Sequence, residues 1–107
     1  MEITKLEDMF KGWFIGDFEP SLHKTTDVEV GIKYYNEGDY EHPHFHKVAT
    51  EFTVILDGRV EMNGIVYERG SILKILPNEI TDFKALTNVK TVVVKIPGAK
   101  NDKYLNI

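Results

Sequence analysis

The stretch that decides the fold of this 107-residue chain spans residues 38–58 and reads GDYEHPHFHKVATEFTVILDG. It holds three histidines close together, His42, His44 and His46, and then a glutamate, Glu51. Residues two apart on an extended strand point to the same face, so His44 and His46 share a face. Two imidazoles on one face, with a carboxylate from the next strand, predict a site for a divalent metal ion. A solvated histidine-rich loop is the alternative, because ligand spacing alone is weak evidence.

The same stretch resembles the first motif of the cupins, a family of small β-barrels. Gly38, His44, His46, Glu51 and Gly58 match all the fixed positions of that motif at its spacing. The resemblance implies an all-β fold, the cupin-type jelly-roll or double-stranded β-helix barrel of a small single-domain, RmlC-like cupin. It also implies that the two histidines and the glutamate hold a divalent metal ion, with Fe, Mn, Zn and Ni not distinguished.

The second cupin motif is present only in degenerate form. In the family it runs from a glycine through a proline and a second glycine to a histidine, which is the fourth metal ligand, and then to an asparagine. Gly70 and Pro77 are present here, with one extra residue between them. Counting from Pro77 places Asp82 at the usual histidine position and Leu86 at the usual asparagine position.

Three interpretations of Asp82 stay open. Asp82 binds the metal together with the residues of the first motif, or it lies beside them and leaves open positions of the kind suited to non-haem iron. In the third interpretation the protein has lost its metal and keeps the pocket for a ligand. His42 is an alternative third imidazole ligand.

The remainder of the chain has the pattern of an all-β protein. Apolar residues alternate with others over residues 28–35, which predicts a half-buried strand with Val30, Ile32 and Tyr34 facing inward. Asn63-Gly64 predicts a tight hairpin, because a type I′ turn needs positive φ at both central residues. Short strands separated by turn signals every ~8–12 residues predict a barrel or sandwich.

Length and composition predict one soluble cytoplasmic domain. We divide it into an N-terminal arm and loop (1–27), a β-barrel (28–96) and a C-terminal tail (97–107). A net charge of −4 without a basic cluster argues against nucleic acid as a partner. No run approaches the ~18 apolar residues of a membrane helix, which argues against a membrane. With no cysteine, thiolate metal sites and cysteine nucleophiles are excluded.

The resemblance implies a metal-dependent enzyme acting on a small oxygenated molecule, such as a sugar, a sugar nucleotide or a small organic acid. The implied reactions are isomerisation or epimerisation, or oxygenation. In this hypothesis Asp82 binds the metal or acts as a base, while Tyr34 and Lys84 position the substrate. Met62 and Tyr34 are the predicted pocket walls.

A non-catalytic cupin is the alternative to an enzyme. Such a protein would bind a metal or a small ligand and work as a sensor or an accessory subunit, because one barrel hosts many functions. The resemblance also implies a homodimer, formed through an edge strand or through the aromatic segment near Trp13.

Overall fold

The computed structural model describes all 107 residues and is built almost entirely of β-strands. A 3-10 helix, Leu6–Asp8, precedes them. The strands are β1 (Trp13–Ile15), β2 (Glu29–Tyr35), β3 (Tyr40–Phe45), β4 (Thr50–Asp57), β5 (Arg59–Met62), β6 (Ile65–Glu68), β7 (Ile72–Ile75), β8 (Thr81–Ala85), β9 (Val89–Ile96) and β10 (Tyr104–Leu105). The predicted all-β class is confirmed. No helix has the length and apolar character needed to cross a membrane.

The strands form two antiparallel five-stranded sheets, in the orders β1-β2-β9-β4-β7 and β10-β3-β8-β5-β6. Both sheets pair strands from the two halves of the chain: β4 lies beside β9, and β3 lies beside β8. Residues from β1 and β10, in the predicted arm and tail, extend the sheets at one edge each. This pairing is the jelly-roll arrangement, and it brings the first-motif strands β3 and β4 to opposite sheets.

The apolar core lies between the sheets and is centred on Ile55 and Val60, both with no exposed surface. Around them pack the other buried apolar side chains, Met62, Ile75, Phe83, Ala85 and Val89. Met62 and Phe83 also line a polar cavity, so the core forms part of its wall. The predicted pocket position of Met62 therefore agrees with the structure.

The predicted hairpin at Asn63-Gly64 is also present. Asn63 has φ of 50° and Gly64 has φ of 80°, and Met62 pairs with Ile65 directly across the turn. A type I′ turn requires positive φ at both central residues, and asparagine and glycine adopt it more readily than other residues do.

The inward set predicted for β2 is wrong. Gly31 is buried and Lys33 and Tyr35 line the cavity, whereas Tyr34 is 67% exposed. Side chains on a strand alternate, so a one-residue error of parity reverses every assignment. The physical reason is that the interior is polar at this end, while the N-terminal segment forms a groove against Ile32 and Tyr34 on the outer side.

Candidate functional site

A cavity of about 190 Å³ lies between the two sheets. Its walls come from both sheets and from the C-terminal tail, and they combine apolar side chains with histidine, glutamate, lysine and threonine. A buried space with convergent polar groups is the usual form of a ligand or active site. The first-motif residues His44, His46 and Glu51 all line it.

His44 and His46 face this cavity together, as the sequence predicts, and are only 7% and 5% exposed. Their rings lie edge to face, with centroids 5.7 Å apart. His44 Nδ1 lies 2.9 Å from the carbonyl oxygen of His42. Because a carbonyl oxygen only accepts, Nδ1 is the donor in this contact, which leaves Nε2 as the ring nitrogen directed to other partners.

The surroundings of His46 favour the neutral form of its imidazole. Burial, and then the charge of Lys95, lowers the pKa of His46 below its usual value, although Glu51 acts in the opposite direction. A neutral imidazole is the metal-binding state, because a protonated ring nitrogen has no lone pair to donate.

Glu51 enters the cavity from β4 and is oriented by its neighbour on the same face. Thr53 Oγ1 donates a 2.9 Å hydrogen bond to Glu51 Oε2. Thr53 is buried, so its hydroxyl holds the carboxylate in place from inside the barrel. Hydrogen bonds of this kind to a ligand side chain orient it toward a metal.

The donor chemistry of this set fits a divalent metal ion: two buried imidazoles, one with its Nδ1 engaged by a backbone carbonyl, and one oriented carboxylate. In the structure, however, no three His, Asp, Glu or Cys side chains are grouped closely enough to hold an ion. His44, His46 and Glu51 therefore supply suitable atoms, and binding an ion requires their side chains to converge further.

Asp82 and Lys84 do not reach the cavity, contrary to the prediction. On β8 the buried residues are Phe83 and Ala85, so the even-numbered side chains point outward, and Lys84 is exposed. Asp82 instead accepts a 2.6 Å hydrogen bond from the backbone N–H of Asn63 and supports the β5–β6 turn. Thr81, which pairs with His44 in register and lines the cavity, occupies the inward position.

The other two predicted side chains also lie outside. Tyr34 is on the outer face of β2, and His42 is exposed, with its ring edge-on to Tyr40 at 5.0 Å. Tyr35 takes the place expected for Tyr34: its hydroxyl donates a 3.2 Å hydrogen bond to Glu41 Oε1. Burial, followed by the charge of Glu41, raises the pKa of Tyr35 well above its ordinary value, so Tyr35 stays a donor.

Sequence reasoning missed one group of residues that line the cavity, Trp13 and the lysines Lys33, Lys95 and Lys103. The ammonium groups of Lys33 and Lys95 lie 5.5 and 5.1 Å from the centre of the Trp13 ring. A signal for this contact was available. Gly31 stands inside a strand pattern, and such a glycine often marks a close approach by another group.

The sequence matches no protein-family model and no curated protein significantly. Solved structures match it by fold. An RmlC-like cupin from Shewanella frigidimarina has a TM-score of 0.65 and 16% sequence identity, and the alignment covers 73% of this chain and 72% of the cupin chain. KdgF from Halomonas sp. has a TM-score of 0.65 and 17% identity, covering 72% of this chain and 76% of its own.

The DMSP lyase DddQ from Ruegeria pomeroyi aligns at a TM-score of 0.71 and 17% identity over 86% of this chain. The chain spans about half of that lyase, 48% of its length. The fold is therefore the double-stranded β-helix of the RmlC-like cupins, and the cupin fold predicted from residues 38–58 is confirmed.

Proposed function

We propose that this protein is a metal-dependent cupin enzyme acting on a small oxygenated molecule, with the metal held by His44, His46 and Glu51. The observation that carries the proposal is that all three first-motif donors line one cavity. The ion would act as a Lewis acid on an oxygen of the substrate. Cupin-fold neighbours named as KdgF and as DMSP lyases support the enzyme class by analogy of fold.

The residues of the chain have separable roles in this proposal. The carbonyl oxygen of His42 sets the tautomer of His44, and the Thr53 hydroxyl orients Glu51. Tyr35 and Glu41 form a donor and acceptor pair at the cavity wall, so Tyr35 replaces Tyr34 as the tyrosine that positions the substrate and Glu41 replaces Asp82 as the candidate base. A general acid or base must lie within hydrogen-bonding reach of the substrate, and side chains that face away from the cavity do not lie within that reach.

The size of the cavity limits the range of possible substrates. Pockets for drug-sized ligands occupy roughly 300–1,000 Å³, and this cavity is smaller, at about 190 Å³. A small organic acid or a single sugar suits it better than a sugar nucleotide does.

Metal analysis of the purified and the metal-reconstituted protein tests the proposal. We expect about one divalent ion per chain in the wild type, and its loss in H44A and E51A. The matched control is D82A, which removes a carboxylate outside the cavity and should keep the ion. Circular dichroism checks that each variant is folded. If wild type holds no ion even after reconstitution, or if D82A loses the ion as H44A does, the proposed site is wrong.

A non-catalytic binding module is the second candidate. It is favoured by the observation that the donors are not grouped closely enough to hold an ion as they stand. Such a protein would bind its ligand through cavity side chains without transforming it. Turnover of a bound compound by the wild type, with loss of turnover but retained binding in Y35F, would exclude this candidate.

A further inference from the structure

Three lysines from three separate segments converge at the cavity without ion-pair partners. Lys33 lies on β2, Lys95 on β9 and Lys103 in the tail, and all three line the same space. The salt bridges of the structure lie elsewhere, Lys24 with Glu19 and Lys100 with Asp17. The three ammonium groups therefore have no fixed counter-ion.

The two carboxylates of the cavity, Glu41 and Glu51, offset only part of the charge of the three lysines. Glu41 accepts a hydrogen bond from Tyr35, and Glu51 accepts one from Thr53. Three lysines thus face two engaged carboxylates, in a chain that carries 17 acidic and 13 basic residues overall. The positive balance is local to the cavity and opposite in sign to that of the whole protein, so it points to an anionic ligand.

Trp13 holds two of these lysines near each other. A Cβ built on Gly31 would lie 2.7 Å from Cε3 of the Trp13 ring, so the ring lies directly against the glycine backbone. Lys33 and Lys95 approach the ring, where the π face attracts a cation. Partial burial lowers the pKa of Lys33, while the charge of Glu41 acts in the opposite direction.

We propose that the cavity binds a small organic acid through its carboxylate, held by Lys33, Lys95 and Lys103 beside Trp13, with the remainder of the molecule directed toward His44 and His46. This inference rests on the proposed function and names its substrate class. Lysine serves here as a mobile point charge with several donors, a suitable partner for one carboxylate.

A carboxylate is favoured over a phosphate by the composition of the walls. Phosphate sites commonly use helix N-termini, glycine-rich loops or arrays of free backbone N–H groups. The lysines on β2 and β9 project from paired strands, where the backbone N–H groups belong to the sheet. The only helix is a three-residue 3-10 turn, and none of its residues lines this cavity.

Trp13 is the only tryptophan and lies at the cavity, so its fluorescence reports binding. The experiment titrates EDTA-dialysed, metal-free protein with two matched pairs: malate against its dimethyl ester, and glucuronate against glucose. Inorganic phosphate is a further ligand. The variants are K33Q and K95Q, with K84Q as the control on the exposed outer face of β8.

We expect at least one of the two carboxylates to bind and its neutral counterpart to bind far more weakly. The Kd should rise about 10-fold to 100-fold in K33Q and K95Q, the range for losing a charged hydrogen bond, and stay unchanged in K84Q. Added salt should weaken binding. The melting temperatures of K33Q and K95Q should change little, because the lost contact with Trp13 and the removal of a partly buried charge act in opposite directions.

Binding of neither carboxylate, equal binding of the charged and neutral compounds, or unchanged affinity in both variants would overturn the inference. Phosphate binding as tightly as the carboxylates would replace it with a general anion site. Because the titration is done without metal, it is independent of the metal proposal. Carboxylate binding by H44A with wild-type affinity would support the lysine site even if no ion binds.

Discussion

The carboxylate of Asp102, close to the C-terminus, accepts a 2.9 Å hydrogen bond from the backbone N–H of Ala49, and both residues are buried. The same carboxylate accepts hydrogen bonds from the N–H groups of Lys47 and Val48. One side chain thus satisfies three successive donors in the turn between β3 and β4. It connects the tail to the segment between His46 and Glu51, and it therefore holds the next residue, Lys103, beside the cavity.

We expect D102N to destabilise the protein by about 2–3 kcal/mol, since hydrogen bonds to a charged group are lost and an amide N–H₂ faces backbone donors. Burial raises the pKa of Asp102, but the hydrogen bonds from Ala49, Lys47 and Val48 outweigh it, so the net pKa lies below the usual value. Because this pKa is lower in the folded state, the carboxylate stabilises the fold at any pH above the pKa of the unfolded chain, ~3.9. The stabilisation is lost as the pH falls through the pKa of the folded state.

Urea denaturation of wild type and D102N at several pH values measures this effect. The difference in unfolding free energy between wild type and D102N should be largest at neutral pH and should decrease below about pH 4. A gap that is the same at all pH values would show that the carboxylate charge does not contribute. D17N, which removes a more exposed carboxylate paired with Lys100, is the control.

The contact between Trp13 and Gly31 leaves no room for a methyl group. In G31A the new Cβ would lie 2.7 Å from the indole ring, so the ring must move or the strands must separate. We expect a loss of about 1–3 kcal/mol, as for other overpacked sites, and a changed near-ultraviolet circular dichroism signal from the single tryptophan. V30A, next to it on the other face of β2, should leave that signal intact; a G31A spectrum identical to wild type would contradict the assigned ring position.

Tyr34 and Tyr35 provide a matched pair for the parity of β2. Y35F removes the hydroxyl that donates to Glu41 and should cost about 1 kcal/mol, whereas Y34F alters a 67% exposed side chain and should stay within about 0.5 kcal/mol. Burial raises the pKa of Tyr35. Its contribution to stability is therefore complete below the ordinary pKa of a tyrosine, ~10, and is lost as the pH rises above that value. In an alkaline absorbance titration, Y35F should lack the last tyrosine to ionise, and Y34F should retain it.

The homodimer expected from the sequence remains a proposal, and the structure offers a surface for it. Ile65 and Val66 on β6 and Ile72 on β7 are 56%, 48% and 69% exposed, and both strands are sheet edges. Exposed apolar edge strands favour pairing with another chain. Light scattering should give a dimer mass for wild type and a monomer mass for V66K, while K84Q remains dimeric; a monomeric wild type would refute the proposal.

Much of the architecture was predictable because its determinants are local. The spacing of Gly38, His44, His46, Glu51 and Gly58 specified the fold family, and the two-residue repeat of strands placed both imidazoles on one face. Asn63-Gly64 specified its turn through backbone conformation alone. Each of these features depends on residues close together in the chain, so a sequence pattern is enough.

Which side chains of β2 and β8 point inward depends on the segments that pack against each face of the strand. The sequence of a single strand does not contain that information. Polarity usually marks the outer face of a strand, but here Lys33 faces a cavity and Ile32 faces the N-terminal segment. Counting the second motif from Pro77 led to Asp82, whereas the inward position belongs to Thr81. A shift of one residue reverses the face, so counting along a motif fails wherever the spacing changes.

The sequence by itself determined that His44, His46 and Glu51 would share a barrel interior, because motif spacing and strand alternation act over short distances. Only the tertiary structure decided what surrounds them. Lys33, Lys95 and Lys103 come from segments far apart in the sequence and meet at the cavity because β2, β9 and the tail are brought together by sheet pairing and by Asp102. No local pattern encodes that meeting, since it is produced by the packing of the whole barrel.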